Sequence, residues 1–268
     1  MIVVDNKPFN IKDLESEYPS GGNERKILEV LSKSDDEYIY KSLGQLKFEI
    51  GLRKAIIDAA KALYRSGLGF DVFRDARCNN EYWTRRDDGG FVLKPGIKAS
   101  DAIQDIYQNG SKYSTECATA MQIVYYKALL EIFPENVFNR MFPTIILMNW
   151  HDIARELRET GYMQQVRGFI PGDRLYFANP DVDPKTPEWQ GENVIDLGNG
   201  TYYGHGIGIH EADVFISVLN NSRREGAEKT AYLMDSAGRP DFMRLYTLYE
   251  RSADIALTPL QASRCLPA

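Results

Sequence analysis

With 268 residues, 43% hydrophobic and 12% aromatic, the chain can bury a sizeable core within the single-domain size range, which excludes disorder as its default state. A formal net charge of −6 and a pI of about 5.3 exclude a general binder of nucleic acid or anionic membrane, whose affinity comes from clustered Lys and Arg. The three widely spaced cysteines, Cys78, Cys117 and Cys265, make neither a disulfide framework nor a zinc pattern, and point to a reducing compartment. The opening residues lack the features of a secretory signal, and no run approaches the ~20 apolar residues of a membrane span.

Residues 1–40 read as polar and weakly patterned, with loops at 19–23 and 34–37. A core helix follows, with Leu43, Leu46, Ile50, Ile57, Ala60 and Tyr64 on one face and Ser66-Gly67 closing it. Residues 82–85 and 91–93 flank Asp87-Asp88-Gly89-Gly90 as a hairpin. Ser100 is the expected cap of a short helix ending at Asn109-Gly110. The next helix carries Cys117, Met121, Val124, Ala128 and Ile132, runs to about Phe133, and takes Ser114 or Thr115 as its N-cap. Residues 145–148 and 175–177 read as strands, and 181–190 as a Pro-rich loop carrying Trp189. Residues 193–197 and 201–206 around Gly198-Asn199-Gly200 give the strongest hairpin signal in the chain. A helix through Val214, Val218 and Leu219 stopped at Gly226, a strand at 231–234, a helix near 240–251 and a loose tail from 252 complete it. The expected class is α+β, helices first, then a mainly antiparallel sheet on which the Cys117 helix packs.

A thiol in the first turn of a helix sits at the positive end of the macrodipole, which favours the thiolate. Free cysteines are also among the most buried residue types, so the presence of a base and an orienting acid decides between nucleophile and core residue. Of the three histidines, His210 beside Glu211 reads as an exposed polar residue, and His151 either lines a site or closes a loop. His205 is placed on a strand between Gly204 and Gly206, whose missing side chains leave the imidazole approachable. A two-residue turn at Gly198-Asn199 or Asn199-Gly200 puts Glu192 and His205 on one face within reach of each other. A three-residue turn without a bulge separates them. Carboxylate, imidazole and thiol together are the arrangement of thiol acyl transfer, although strand carboxylates and histidines also pair for structural reasons.

The stretches 48–53, 116–120, 175–180, 189–195 and 203–209 make the chain resemble the small bacterial protein-glutamine γ-glutamyltransferases, the transglutaminases of the Bacillus spore coat. The resemblance runs to about residue 251, and departs at Asn149, where an acid is expected, and at Gln190. It implies one NlpC/P60-like, papain-related catalytic domain over 1–251, with 252–268 and Cys265 outside it. It implies a triad of Cys117, Glu192 and His205, a second acid at Glu116, and aromatic walls from Phe70, Trp150, Tyr176 and Trp189. It further implies a calcium-independent reaction with no metal or cofactor, and the sequence contains no EF-hand loop.

The reaction so implied is acyl transfer from a protein glutamine through a Cys117 thioester to lysine, within the cytoplasm of a sporulating cell and then its spore coat. The implied partners are coat proteins carrying reactive Gln and Lys, not nucleic acid or membrane. Glu116 either assists proton transfer or is an N-terminal carboxylate favoured by the dipole. Two other readings stay open: a related cysteine peptidase or peptidoglycan amidase, which would incorporate no amine, and a passive coat scaffold, which would show no thiol sensitivity.

Overall fold

A computed structural model describes residues 1–150 and 152–257, the side chains of 253–257 excepted; His151 and Cys265 lie outside the described residues. The main core is threaded by the helix Leu43–Arg65, which starts where the Ser42 side chain accepts the Gln45 amide. Leu46, Ile50, Ile57 and Ala60 are buried as the spacing predicts, but Leu43 and Tyr64, at the ends of that face, are exposed. Burial is not confined to one stripe, because Phe48, Leu52, Arg53, Ile56 and Leu63 are enclosed as well.

The helix Cys117–Ile132 packs most extensively against it and ends at Phe133. Its N-cap is Glu116 rather than Ser114 or Thr115. Those two instead form a short strand parallel to Gly69–Phe70, so their backbone is committed to a sheet before the helix begins. The preceding helix, Ala99–Gln108, is capped at Lys98. Ser100 lies inside its first turn, where its hydroxyl bonds Glu135 and Asn139 rather than the helix's own amides.

The first forty residues carry more structure than their polarity suggests. Ile2–Val4 pairs antiparallel with Lys7–Pro8 and parallel with Tyr38–Tyr40, and the helix Asn23–Lys33 buries Ile27, Leu28 and Leu31. Strands of two or three residues are too short to display an alternation in sequence. The hairpin Trp83–Arg85 with Phe91–Leu93 forms as expected, and Ile146–Leu147 adds a third strand to it.

The largest sheet is wholly antiparallel. Its spatial order is Gly208–Glu211, Thr201–Gly204, Gly191–Asp196, Arg174–Ala178 and Tyr232–Leu233. Val194 faces Gly204, Ile195 faces Tyr203, and the Leu197 amide donates to the Thr201 carbonyl, so residues 198–200 form a three-residue turn. Thr201–Gly204 then turns back on Gly208–Glu211, which places His205 in that second turn and not on a strand. The helix Ala212–Asn220, ending before Gly226, covers the sheet through Phe215 and Leu219, which join Leu175, Phe177 and Val194 in a second apolar cluster. The last helix, Phe242–Leu257, overruns the expected boundary at 251, so residues 252–257 are helical and not a loose tail.

Candidate active site

Cys117 is the first residue of its helix and sits against the strand Gly191–Asp196. Glu116, just before it, aims both carboxylate oxygens at the free first-turn amides, Ala118 at 2.5 Å and Thr119 at 2.7 Å. Burial nonetheless raises the Glu116 carboxyl above its ordinary value, with those two amides pulling the other way. Across the gap, the Asn193 side-chain amide donates to Cys117 Sγ at 3.4 Å, and the Glu192 carboxyl, on the neighbouring residue of that strand, acts on the thiol through its charge. Glu192 is 2% exposed, one of its oxygens has no hydrogen-bond partner among the described residues, and burial followed by the charge of Glu116 pushes its pKa well up.

The thiol is likewise driven well above its ordinary value, first by burial and then by the charges of Glu192 and Glu116. Asn193 opposes this with its side-chain and main-chain N–H groups. The helix terminus alone therefore does not produce a thiolate here: a dipole worth about 0.3–1 kcal/mol is smaller than the desolvation of a buried anion. Two acids and a thiol enclosed together cannot all carry charge, so each opposes ionisation of the others.

His205 is placed differently from the expected relay. The carbonyl of Gly69 can only accept, so Nε2 at 3.0 Å carries the proton, and Nδ1 accepts the Tyr203 hydroxyl at 3.2 Å. Both ring nitrogens are thus engaged by groups other than Glu192. Burial lowers the imidazole pKa to about 4, so the ring is neutral near pH 7. The three-residue turn is the case that takes His205 off the face of Glu192. The glycines flanking His205 make room for other groups. A Cβ on Gly204 would meet Phe215 at 2.5 Å and Glu192 at 3.0 Å, and one on Gly206 (φ +102°) would meet the Phe70 ring at 2.6 Å.

A cavity of about 860 Å³ opens over the thiol, walled by Phe70, Trp150, Tyr176, Glu116 and Asn193. A second, of about 260 Å³, is lined by His205, Tyr203 and Tyr64, and Phe70 borders both. Trp189 does not line the larger cavity; it stacks on Phe70 at 5.9 Å and backs that wall. Asn149, also on the wall, has a left-handed backbone (φ 33°), which asparagine tolerates better than most side chains, and its amide donates to Thr119. Sequence reasoning missed Asn193 and Arg174, both on the cavity wall. The only available signal was a polar residue next to Glu192 in an otherwise apolar strand.

A family model described as protein-glutamine gamma-glutamyltransferase matches residues 1–249. A protein-glutamine gamma-glutamyltransferase of Bacillus cereus is 43% identical over 232 residues, which cover 85% of this chain and 82% of the relative. One of Bacillus mycoides is 42% identical over 230 residues, with the same coverage of 85% and 82%. The solved transglutaminase of Geobacillus stearothermophilus, without its C-terminal extension, superposes with a TM-score of 0.73 at 46% identity, covering 78% of this chain and 98% of that one.

Proposed function

The chain belongs to the protein-glutamine gamma-glutamyltransferase family, and we propose that it performs this transfer through a thioester on Cys117, with Glu192 moving the proton. The observation that carries the reading is the half-buried thiol at the foot of an aromatic cavity, hydrogen-bonded by Asn193 and within reach of the Glu192 charge. Glu192 takes the thiol proton as sulfur attacks the glutamine γ-carboxamide. The C–N bond then breaks, the departing nitrogen takes that proton from Glu192, and ammonia leaves a thioester. A neutral lysine amine attacks the thioester, gives its proton to Glu192 and expels the thiolate, leaving an ε-(γ-glutamyl)lysine isopeptide bond. Proton transfer of this kind is worth about 10²–10⁴-fold.

In this reading the imidazole of His205 holds structure. Its Nε2–H ties the turn to the Gly69 carbonyl, and its Nδ1 accepts the Tyr203 hydroxyl. Glu116 closes the helix and adds the negative charge that keeps Glu192 protonated after the thiolate forms. Phe70, Trp150 and Tyr176, with Trp189 behind Phe70, exclude water from the thioester and accept the slender lysine stem.

Residues 1–251 are read as one catalytic domain of the NlpC/P60-like, papain-related kind, acting without calcium on coat proteins of a spore that forms inside the producing cell. The motifs at 116–120, 189–195 and 203–209 support that assignment. The deciding experiment is incorporation of a primary-amine dye into a glutamine-bearing protein. Wild type should label it, Cys117→Ala should not, and Glu192→Gln should lose about 10²-fold or more. Peptide hydrolysis without labelling would instead indicate a peptidase or amidase, and unaltered labelling by Cys117→Ala would refute the thioester.

A further inference from the structure

Arg174 begins its strand as a buried cation, 2% exposed, one residue from Asp173, yet its guanidinium makes no salt bridge among the described residues. Its fixed fork is held from several sides. Nε donates to the Thr160 carbonyl at 2.9 Å and Nη1 to Asn193 Oδ1 at 2.6 Å. The guanidinium lies 4.3 Å over the Trp150 ring. At Gly238 an added Cβ would come within 2.7 Å of Nη2 and 2.9 Å of the Thr160 carbonyl, so the absence of a side chain there is what seats the group. Nη2 itself is buried with no hydrogen-bond partner among the described residues. Burying an unpaired guanidinium is costly, and structural economy would put an apolar residue here.

What the arrangement does provide is an orientation. An amide side chain can present either its oxygen or its NH₂, and Arg174 can only donate, so it claims Oδ1. The NH₂ must then face the other way, where it meets Cys117 Sγ at 3.4 Å. We propose that Arg174 is a positioning residue for the nucleophile, locking the Asn193 amide so that a hydrogen-bond donor and a nearby positive charge, rather than an imidazole, hold the Cys117 thiolate. The inference rests on Cys117 being the nucleophile. It also fits the engagement of both His205 ring nitrogens elsewhere. The attraction between the Arg174 cation and the Cys117 anion acts in the same direction.

The test is the pH dependence of iodoacetamide alkylation at Cys117, read by mass spectrometry of the Cys117 peptide because the chain also contains Cys78 and Cys265, alongside kcat and KM for amine-dye incorporation. Arg174→Met and Asn193→Ala should each move the alkylation profile to higher pH by about one unit or more. Each should lower kcat about tenfold or more with a smaller change in KM. The double variant should shift no further than the larger single, because the two residues act as a unit. A profile unmoved in Arg174→Met, or shifts that simply add, overturns the proposal. If Arg174→Met does not fold, Asn193→Asp decides: it keeps a partner for Arg174 but offers no N–H to sulfur, and an unmoved profile in that variant is equally fatal. Retention of labelling by Cys117→Ala would instead refute the nucleophile and leave the hydrogen-bonded relay from Arg174 through Asn193 intact as a structural fact.

Discussion

At the scale of single residues, burial outweighs the local signals that a sequence displays. Cys117 has the helix position that favours a thiolate, but its enclosure beside two carboxyls reverses the direction. His205 shows the same effect with a consequence for pH. Its pKa falls from 6.5 unfolded to about 4 folded, so the unfolded chain binds the extra proton between those values. The stability from the neutral ring is fully present above pH 6.5 and is lost as pH falls toward 4, amounting to about 3 kcal/mol. The raised carboxyls Glu116 and Glu192 act with the opposite sign, losing stability as pH rises. The measurement is therefore a difference: urea unfolding of wild type and His205→Gln from pH 7 to pH 4. The gap between the two should narrow or reverse toward acid, and a constant gap would show that the ring does not titrate this way.

Among the elements, the two successive hairpins of 191–211 decide the site. Their first turn has three residues, so the register moves His205 away from the position directly across from Glu192 and into the second turn. The turn residues Gly198, Asn199 and Gly200 were readable, but their number was not, since Asn-Gly and Gly-Asn both make favourable two-residue turns. The second turn is conditioned by Gly206, whose left-handed backbone and missing Cβ let Phe70 close against it. Gly206→Ala should cost about 1–3 kcal/mol from backbone strain and from overpacking against the ring. It should also displace the wall shared by the two cavities, raising ammonia release relative to amine incorporation. A variant with lowered stability and an unchanged ratio of the two would show that Phe70 does not guard the thioester.

On the scale of the whole molecule, the sheet and the helical layer are joined by an ionic cluster inside the core. Arg53, 1% exposed in the middle of its helix, bonds Glu49 and Asp173, each at 2.8 Å, and Arg239 closes on Asp173 at 2.7 Å. The Tyr40 hydroxyl completes it on Glu49, and the Phe242 ring lies 4.6 Å from the Arg53 guanidinium. Arg53→Ala leaves two carboxylates buried with fewer partners and should cost about 3–5 kcal/mol in denaturant unfolding, more than an exposed arginine could. A loss below 1 kcal/mol would mean that the cluster is solvated in solution.

The sequence by itself determined the family, the α+β class, the helix that presents Cys117, the strand that carries Glu192 and three of the four aromatic side chains around the thiol. These follow from short-range patterns, because periodicity, caps and contiguous motifs are written within a few residues of one another. Only the tertiary structure decided that Glu116 is the cap, that the Asn193 amide rather than the His205 ring meets the sulfur, and that a buried arginine bonds that amide. Those contacts join residues far apart in the chain. Their outcome turns on a one-residue difference in turn length and on desolvation, and both are properties of the packed molecule rather than of any local stretch.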